Sequence, residues 1–279
     1  MTLLVFSRMH LFFKLSFLFY LISFLVYLFL FLKRKWIPKY FPTLSIFIAF
    51  AFNTALIVFS WATYKQPPIR TLYETLVFFT WTVAFIYLII ELITKLRIIG
   101  IFASLFSVIS LIYAIFKVDV DRINLPAALQ SFWFIPHVII YFIAYAALFL
   151  SFVTAILYLK FPDKKKLPKG HWLEQEFLDF ESYTYKIINF GFIFLSLGLL
   201  LGGVWAKEAW GDYWGWDPKE NWSLITWLVY LIYLHLRFVK GWRGKRSAYF
   251  AIAGFVAVII TYLGVNVLPS AQESLHTYQ

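Results

Sequence analysis

The feature that most constrains this chain is a succession of apolar stretches, each about as long as a bilayer's hydrocarbon core is thick. A helix needs about 20 mostly apolar residues to cross that ~30 Å layer. Eight stretches reach or approach this length, at roughly 11–32, 43–64, 75–94, 98–116, 132–159, 187–206, 222–238 and 247–267. Inside hydrocarbon the backbone has no water to bond to, and a helix satisfies its polar groups internally. The expected fold is therefore an all-α polytopic membrane protein with about eight transmembrane helices. Composition agrees, with 62% of the 279 residues apolar and only 14% charged, against about 25% charged in soluble domains. A secreted domain, a disordered chain and an ordinary nucleic-acid binder are excluded. The first stretch is too long for a signal-peptide core, lacks a small-residue cleavage site and runs directly into Lys33, Arg34 and Lys35.

The basic residues assign sides. The loops after spans 1, 3, 5 and 7 hold 17 of the 25 Lys and Arg residues, among them Lys33, Lys95, Arg97, Lys164, Lys165, Lys166, Arg243 and Arg246. Positive loops stay in the cytoplasm, so both termini are expected to be extracytoplasmic. The net charge of +11 then reads mainly as an orientation code. No loop is long enough for a soluble domain, and residues 1–279 read as a single transmembrane domain. The longest connection, about 160–186, places Leu173, Phe177 and Phe180 on one helical face opposite Glu174 and Glu181. It is expected to be a cytoplasmic amphipathic segment lying along the membrane surface.

The loop between spans 6 and 7, about 205–222, carries Trp205, Trp210, Trp214, Trp216 and Trp222, five of the twelve Trp in the chain. An interfacial aromatic belt would distribute them over all span ends. Crowded into one extracytoplasmic loop with Gly211 and Gly215, they suggest a platform for a large flat apolar ligand. Asp217, Pro218 and Glu220 have the order of a capping box with Pro at the first helical position, so the two carboxylates read as caps for span 7.

Histidines narrow the ligand further. His137 lies near the outer start of span 5, and His276 lies nine residues beyond span 8. Both fall on the side of the Trp loop, where together they form a credible pair of axial ligands to a haem iron. His235 lies 13 residues beyond Trp222, about 20 Å along span 7. An ionisable residue at that depth is a functional candidate; the alternative is a histidine snorkelling toward the headgroups beside Arg237. His10 and His171 lie at other depths, so an inner haem at His235 needs a ligand from another chain or keeps one histidine. In the loop 67–74, Arg70 either pairs with Glu74 or faces an anionic ligand or partner, and the sequence does not choose. Cysteine is absent, which excludes disulfides and thiol chemistry by this chain.

The segment WGDYWGWDPKENW resembles the tryptophan-rich WWD signature of haem-handling membrane proteins. LYETLVFFTW (72–81), LQSFWFIPHVIIYFIAYAALF (129–149), GWRGKRSAYFAIAGF (241–255) and the C-terminal GVNVL and LHTY runs resemble, in the same order, segments of the CcsA/ResC family of cytochrome c biogenesis. The signature alone would admit CcmC and CcmF-type relatives; the further segments favour CcsA/ResC. Gln279 and Lys207 depart slightly from the family pattern, and the first 60 residues carry no specific match.

The resemblance implies a system II haem-handling protein. His137 and His276 would be the external haem ligands, Trp210, Trp214, Trp216 and Asp217 the loop that cradles haem b, and His235 the intramembrane histidine on its route. A CcsB/ResB-like membrane protein would complete the machine, and an apocytochrome c would bring the CXXCH thiols that become thioethers. The chain would then be the haem-presenting subunit of a cytochrome c synthase, or haem lyase, in a bacterial cytoplasmic membrane or a thylakoid membrane, contacting membrane lipid and no nucleic acid. The competing reading is a cytochrome b-type quinol or electron-transfer subunit, which requires histidines paired at matching depths. A solute transporter would leave the Trp loop unexplained.

Overall fold

The computed structural model describes residues 9–33, 38, 40–117, 127–161 and 179–264. Eight α-helices and one short 3-10 turn make up the regular structure among these residues, with no strand. Seven helices are long and apolar enough to cross a membrane. The eighth, α4 (Ile99–Ile115), has 17 residues, about 25 Å of helix, at the lower limit for a span. The protein is an integral membrane protein with an all-α fold, and its helices fall into two compact units.

The first unit contains α1 (Leu11–Lys33), α2 (Phe41–Tyr64), α3 (Leu72–Thr94) and α4. Helix α1 turns Phe13, Tyr20 and Tyr27 inward at seven-residue spacing, the period that keeps one face of a helix on its neighbours. Its lower core is polar and closed. The Glu91 carboxylate accepts hydrogen bonds from Tyr87 at 2.6 Å and Thr43 at 2.9 Å, and pairs with Arg97 at 3.2 Å. The Arg97 guanidinium lies 4.6 Å from the centre of the Tyr40 ring. A buried carboxylate is tolerable only when paired and hydrogen-bonded in this way. It ties α2, α3 and the turn into α4 together near the end of a span. At the other end of α3, Arg70 makes an ion pair with Glu74, donates to Gln66 at 3.1 Å and lies over Tyr64. Of the two sequence readings, the pairing with Glu74 is the one this geometry holds. His10 has a local role: its Nδ1 accepts from the Phe12 amide at 3.2 Å at the start of α1, and its ring lies 4.4 Å from Phe59.

The second unit contains the 3-10 turn Ala127–Gln130, α5 (Phe134–Lys160), α6 (Phe180–Trp210), α7 (Pro218–Lys240) and α8 (Lys245–Tyr262). Helix α5 is its centre, packed on α6 and α8. Pro136 falls in the first turn of α5, where an amide has no intrahelical partner to lose. Helix α6 is longer than the expected span 187–206. Asp179 caps its start by accepting from the Ser182 amide at 3.1 Å, and Gly211 ends it at φ +93°. The last residues of the expected surface segment, Phe180 to Lys186, are thus the first two turns of α6, while residues 162–178 lie outside the described residues. Helix α7 is inverted for a soluble helix but not for a membrane. Its buried residues are Ser223, Thr226, Tyr230 and Tyr233, and its exposed face is Ile225, Leu228, Leu231, Ile232 and Phe238.

Candidate functional site

His137 sits in the first turn of α5. Its Nδ1 is 2.9 Å from the Gly198 carbonyl oxygen of α6. A carbonyl only accepts, so in the neutral ring Nδ1 carries the proton and Nε2 carries the lone pair. This is the arrangement by which a second partner fixes the tautomer and orientation of a metal-binding imidazole. Two glycines make room for it. A Cβ on Gly202 would lie 2.6 Å from His137 Cε1, and one on Gly198 would lie 2.7 Å from Tyr141. Any side chain on Gly202 would displace the ring.

The aromatic surface begins on the same imidazole. Trp205 lies 5.4 Å from the His137 ring centre, 5.2 Å from Phe134 and 4.9 Å from Trp210. Trp205 and Trp210 belong to the last turns of α6 rather than to a loop. The turn proper spans only 211–217, because Gly211 takes the left-handed conformation that a side chain resists. Lys207 closes it from the helix by donating to the Gly211 carbonyl, and its ammonium lies over the Tyr213 ring. The Tyr213 carbonyl comes 3.4 Å from the Cβ position of Gly203, so the turn folds back onto α6.

Within the turn, Trp214 and Trp216 meet edge to face at 6.0 Å. The Trp214 Nε1 is buried without a hydrogen-bond partner. Trp216 is exposed and held at φ +58°, a conformation that costs a bulky residue on the order of 1–3 kcal/mol. Its carbonyl accepts from Asn221 at 2.9 Å. Asp217 is the N-cap of α7, accepting from the Lys219 amide at 2.8 Å, and Glu220 accepts from the Asp217 amide at 3.2 Å and the Gly215 amide at 2.9 Å. The capping box read from the sequence is present, and Glu220 also holds the turn.

The structure therefore brings His137 against Trp205, which packs in turn on Trp210, and places Trp214, Trp216 and Asp217 in the adjoining turn. It does not bring His235 there. His235 lies in the far half of α7 with its side chain exposed on the outward apolar face. His276 lies outside the described residues. Among the described residues no group of three or more His, Asp or Glu is arranged to hold a metal. Sequence reasoning did not identify Gly198, Gly202 or Tyr141. The signal available was the Gly198, Gly202, Gly203 run inside an apolar span, where small residues let a neighbouring helix approach.

The family described as cytochrome C assembly protein matches residues 69–272. Among curated proteins, the cytochrome c biogenesis protein CcsA of Chlamydomonas reinhardtii is 40% identical over 230 residues, covering 80% of this chain and 64% of that protein. The CcsA of Heterosigma akashiwo is 37% identical over 272 residues, covering 82% and 83%, and that of Marchantia polymorpha is 33% identical over 277, covering 84% and 86%. Among solved structures, the cytochrome c heme lyase CcmF superposes with a TM-score of 0.66 at 18% identity, covering 91% of this chain and 46% of that one. At that identity the likeness concerns the fold. The chain spans less than two thirds of the Chlamydomonas reinhardtii CcsA and less than half of CcmF.

Proposed function

This chain belongs to the CcsA family of cytochrome c assembly proteins, and we propose that within this process it carries haem b on an extracytoplasmic site and offers it to an apocytochrome c. The observation that carries the reading is the His137 imidazole, held at Nδ1 by the Gly198 carbonyl and set against Trp205, which packs in turn on Trp210.

The residues fit a porphyrin in three respects. An imidazole of fixed tautomer suits iron. Two pairs of packed indoles, Trp205 with Trp210 and Trp214 with Trp216, suit a large apolar macrocycle. The buried, unpartnered Trp214 Nε1 is a donor that an anionic or carbonyl edge would satisfy. Haem supplies the vinyl groups; the CXXCH substrate supplies both thiols and the histidine that takes over one axial position, since this chain has no cysteine. His137, with His276 as the second ligand, holds the iron until that exchange. Trp210, Trp214 and Trp216 position the ring, and Asp217 and Glu220 hold the turn that carries two of them.

His235 belongs to a different step. Its exposed position on the outer face of α7 suits a ligand shared with another chain, and a CcsB/ResB-like subunit is the proposed contributor on the route by which haem reaches the outer site. The test is one set of spectra on protein purified from membranes. Wild type should show b-type haem. His137→Ala and His276→Ala should each lose or weaken it, with partial return on adding imidazole. His235→Ala should lower haem occupancy while leaving the spectrum of the bound fraction unchanged. Unchanged spectra and occupancy in both His137→Ala and His276→Ala overturn the assignment.

A further inference from the structure

The bond from His137 Nδ1 to the Gly198 carbonyl restrains the imidazole at one point. A single hydrogen bond still lets the ring swing, because its angle can open by tens of degrees before it weakens steeply. The remaining freedom is taken up by what touches the ring. Gly202 of α6 lies against it, since a Cβ there would fall 2.6 Å from His137 Cε1 and 2.9 Å from Nδ1. Tyr141, one turn further along α5, meets it edge to face with ring centres 4.8 Å apart and planes at 68°. Residues four apart are neighbours on one helix face, so α5 itself brings Tyr141 to His137.

Tyr141 is in turn held by two other helices. Its ring packs on Gly198 of α6, where a Cβ would lie 2.7 Å from Tyr141 Cδ2. The residue that accepts from His137 thus also seats Tyr141. Its hydroxyl is hydrogen-bonded to the Ser223 side chain near the start of α7. Ser223 Oγ donates its own proton to the Glu220 carbonyl at 2.7 Å, so toward Tyr141 it accepts and the tyrosine hydroxyl donates. Both residues are buried, and water does not compete for the bond. Glu220 is the residue whose carboxylate accepts from the Asp217 and Gly215 amides. Tyr141 therefore joins the imidazole to the same start of α7 that carries the Trp turn.

We propose that Tyr141 is a positioning residue for His137: its ring sets the tilt of the imidazole, and its hydroxyl, tied to Ser223, holds that ring in place. This role rests on the reading of His137 as a haem ligand and names what orients it. Tyr141 acts through the imidazole and not on the iron. The test uses protein purified from membranes with its haem bound. Haem release is followed by transfer to excess apomyoglobin, and the iron by electron paramagnetic resonance of the oxidised form. Tyr141→Phe keeps the ring and removes the hydroxyl, whereas Ser223→Ala removes the anchor.

Each variant should release haem about tenfold faster, the lower end of what losing an orienting partner of a metal-binding imidazole costs. The ferric signal should broaden, because a ring free to swing spreads the ligand geometry. The double variant should be no worse than either single one, since both break the same bond. In His137→Ala with imidazole added, Tyr141→Phe should have no further effect. A merely structural role would lower the melting midpoint while leaving release rate and iron signal of the bound fraction as in wild type, and that result overturns the proposal. So does an effect of Tyr141→Phe that persists in His137→Ala. If His137→Ala loses haem while Tyr141→Phe and Ser223→Ala both behave as wild type, the positioning role falls and the haem assignment stands. If His137→Ala and His276→Ala keep wild-type spectra and occupancy, the assignment falls and takes this role with it. Should Tyr141→Phe fail to fold, Ser223→Ala alone decides, by the same release rate and iron signal.

Discussion

Thr71–Glu74 and Asp217–Glu220 are the same local device at the starts of α3 and α7, one in each unit, and they differ in what else the glutamate holds. In both, the N-cap oxygen accepts from a first-turn amide and the glutamate three residues on accepts from the N-cap amide. Glu74 gives its remaining capacity to Arg70, whose amide and guanidinium both donate to it. Glu220 gives its remaining capacity to the Gly215 amide, between Trp214 and Trp216. The first box closes on itself as a rivet. The second reaches out of its helix and shapes the aromatic turn, so one capping motif is structural in α3 and positioning in α7.

The largest expected effect comes from breaking the rivet. Glu74→Ala removes the glutamate's half of the capping box, leaving the Thr71 cap in place, and leaves the Arg70 guanidinium, whose side chain is 14% exposed, without its carboxylate. A loss of about 2–4 kcal/mol is expected, less than a fully buried pair would show. It should appear as a lower melting midpoint, with haem per folded molecule unchanged. Glu220→Ala loses two hydrogen bonds at a more exposed position, for about 1–2 kcal/mol of stability. Its haem affinity should fall about tenfold, because the turn loses its hold. If Glu74→Ala strips haem as strongly as Glu220→Ala does, the two boxes do not differ in the way argued.

Much of this was legible in the sequence. The eight spans follow from runs of apolar residues that only a bilayer can accommodate, and the second box from the order Asp, Pro, Lys, Glu. Other features were not legible, each for a physical reason. The ends of α6 depend on Asp179 accepting from Ser182 and on Gly211 turning left-handed, which extends helix through residues that hydropathy assigns to loops. The contact of His137 with Gly198 joins residues 61 positions apart, and no local pattern encodes such a pair. The polar inner face of α7 escapes a hydropathy count because its Tyr, Thr and Ser alternate with residues apolar enough to carry the span.

Trp216 allows a sharper separation of stability from binding. Its φ of +58° is strained for an indole-bearing residue and free for glycine. Trp216→Gly should therefore keep or raise the melting midpoint, by the equivalent of about 1 kcal/mol, while haem retention falls. A variant that loses stability as well would mean that the Trp214–Trp216 contact holds the turn more than the turn holds Trp216.

The smallest expected effect is the most discriminating one for Asp217. Its carboxylate caps α7 through the Lys219 amide, and the residue is 7% exposed. Asparagine caps nearly as well as aspartate, since either offers an oxygen to the same amide, so Asp217→Asn should cost only a few tenths of a kcal/mol, mainly from lost interaction with the helix dipole. Because the cap survives, the direction of α7 and the position of Trp216 next to it survive too, and haem content and spectrum should match wild type. Asp217→Ala removes the cap, costs about 1 kcal/mol, and should weaken haem retention in proportion to the loosening of the turn. The pair of variants distinguishes geometry from charge. If Asp217→Asn loses haem while its melting midpoint stays at the wild-type value, the negative charge itself acts on the ligand or its partner, and the second box does more than hold a turn.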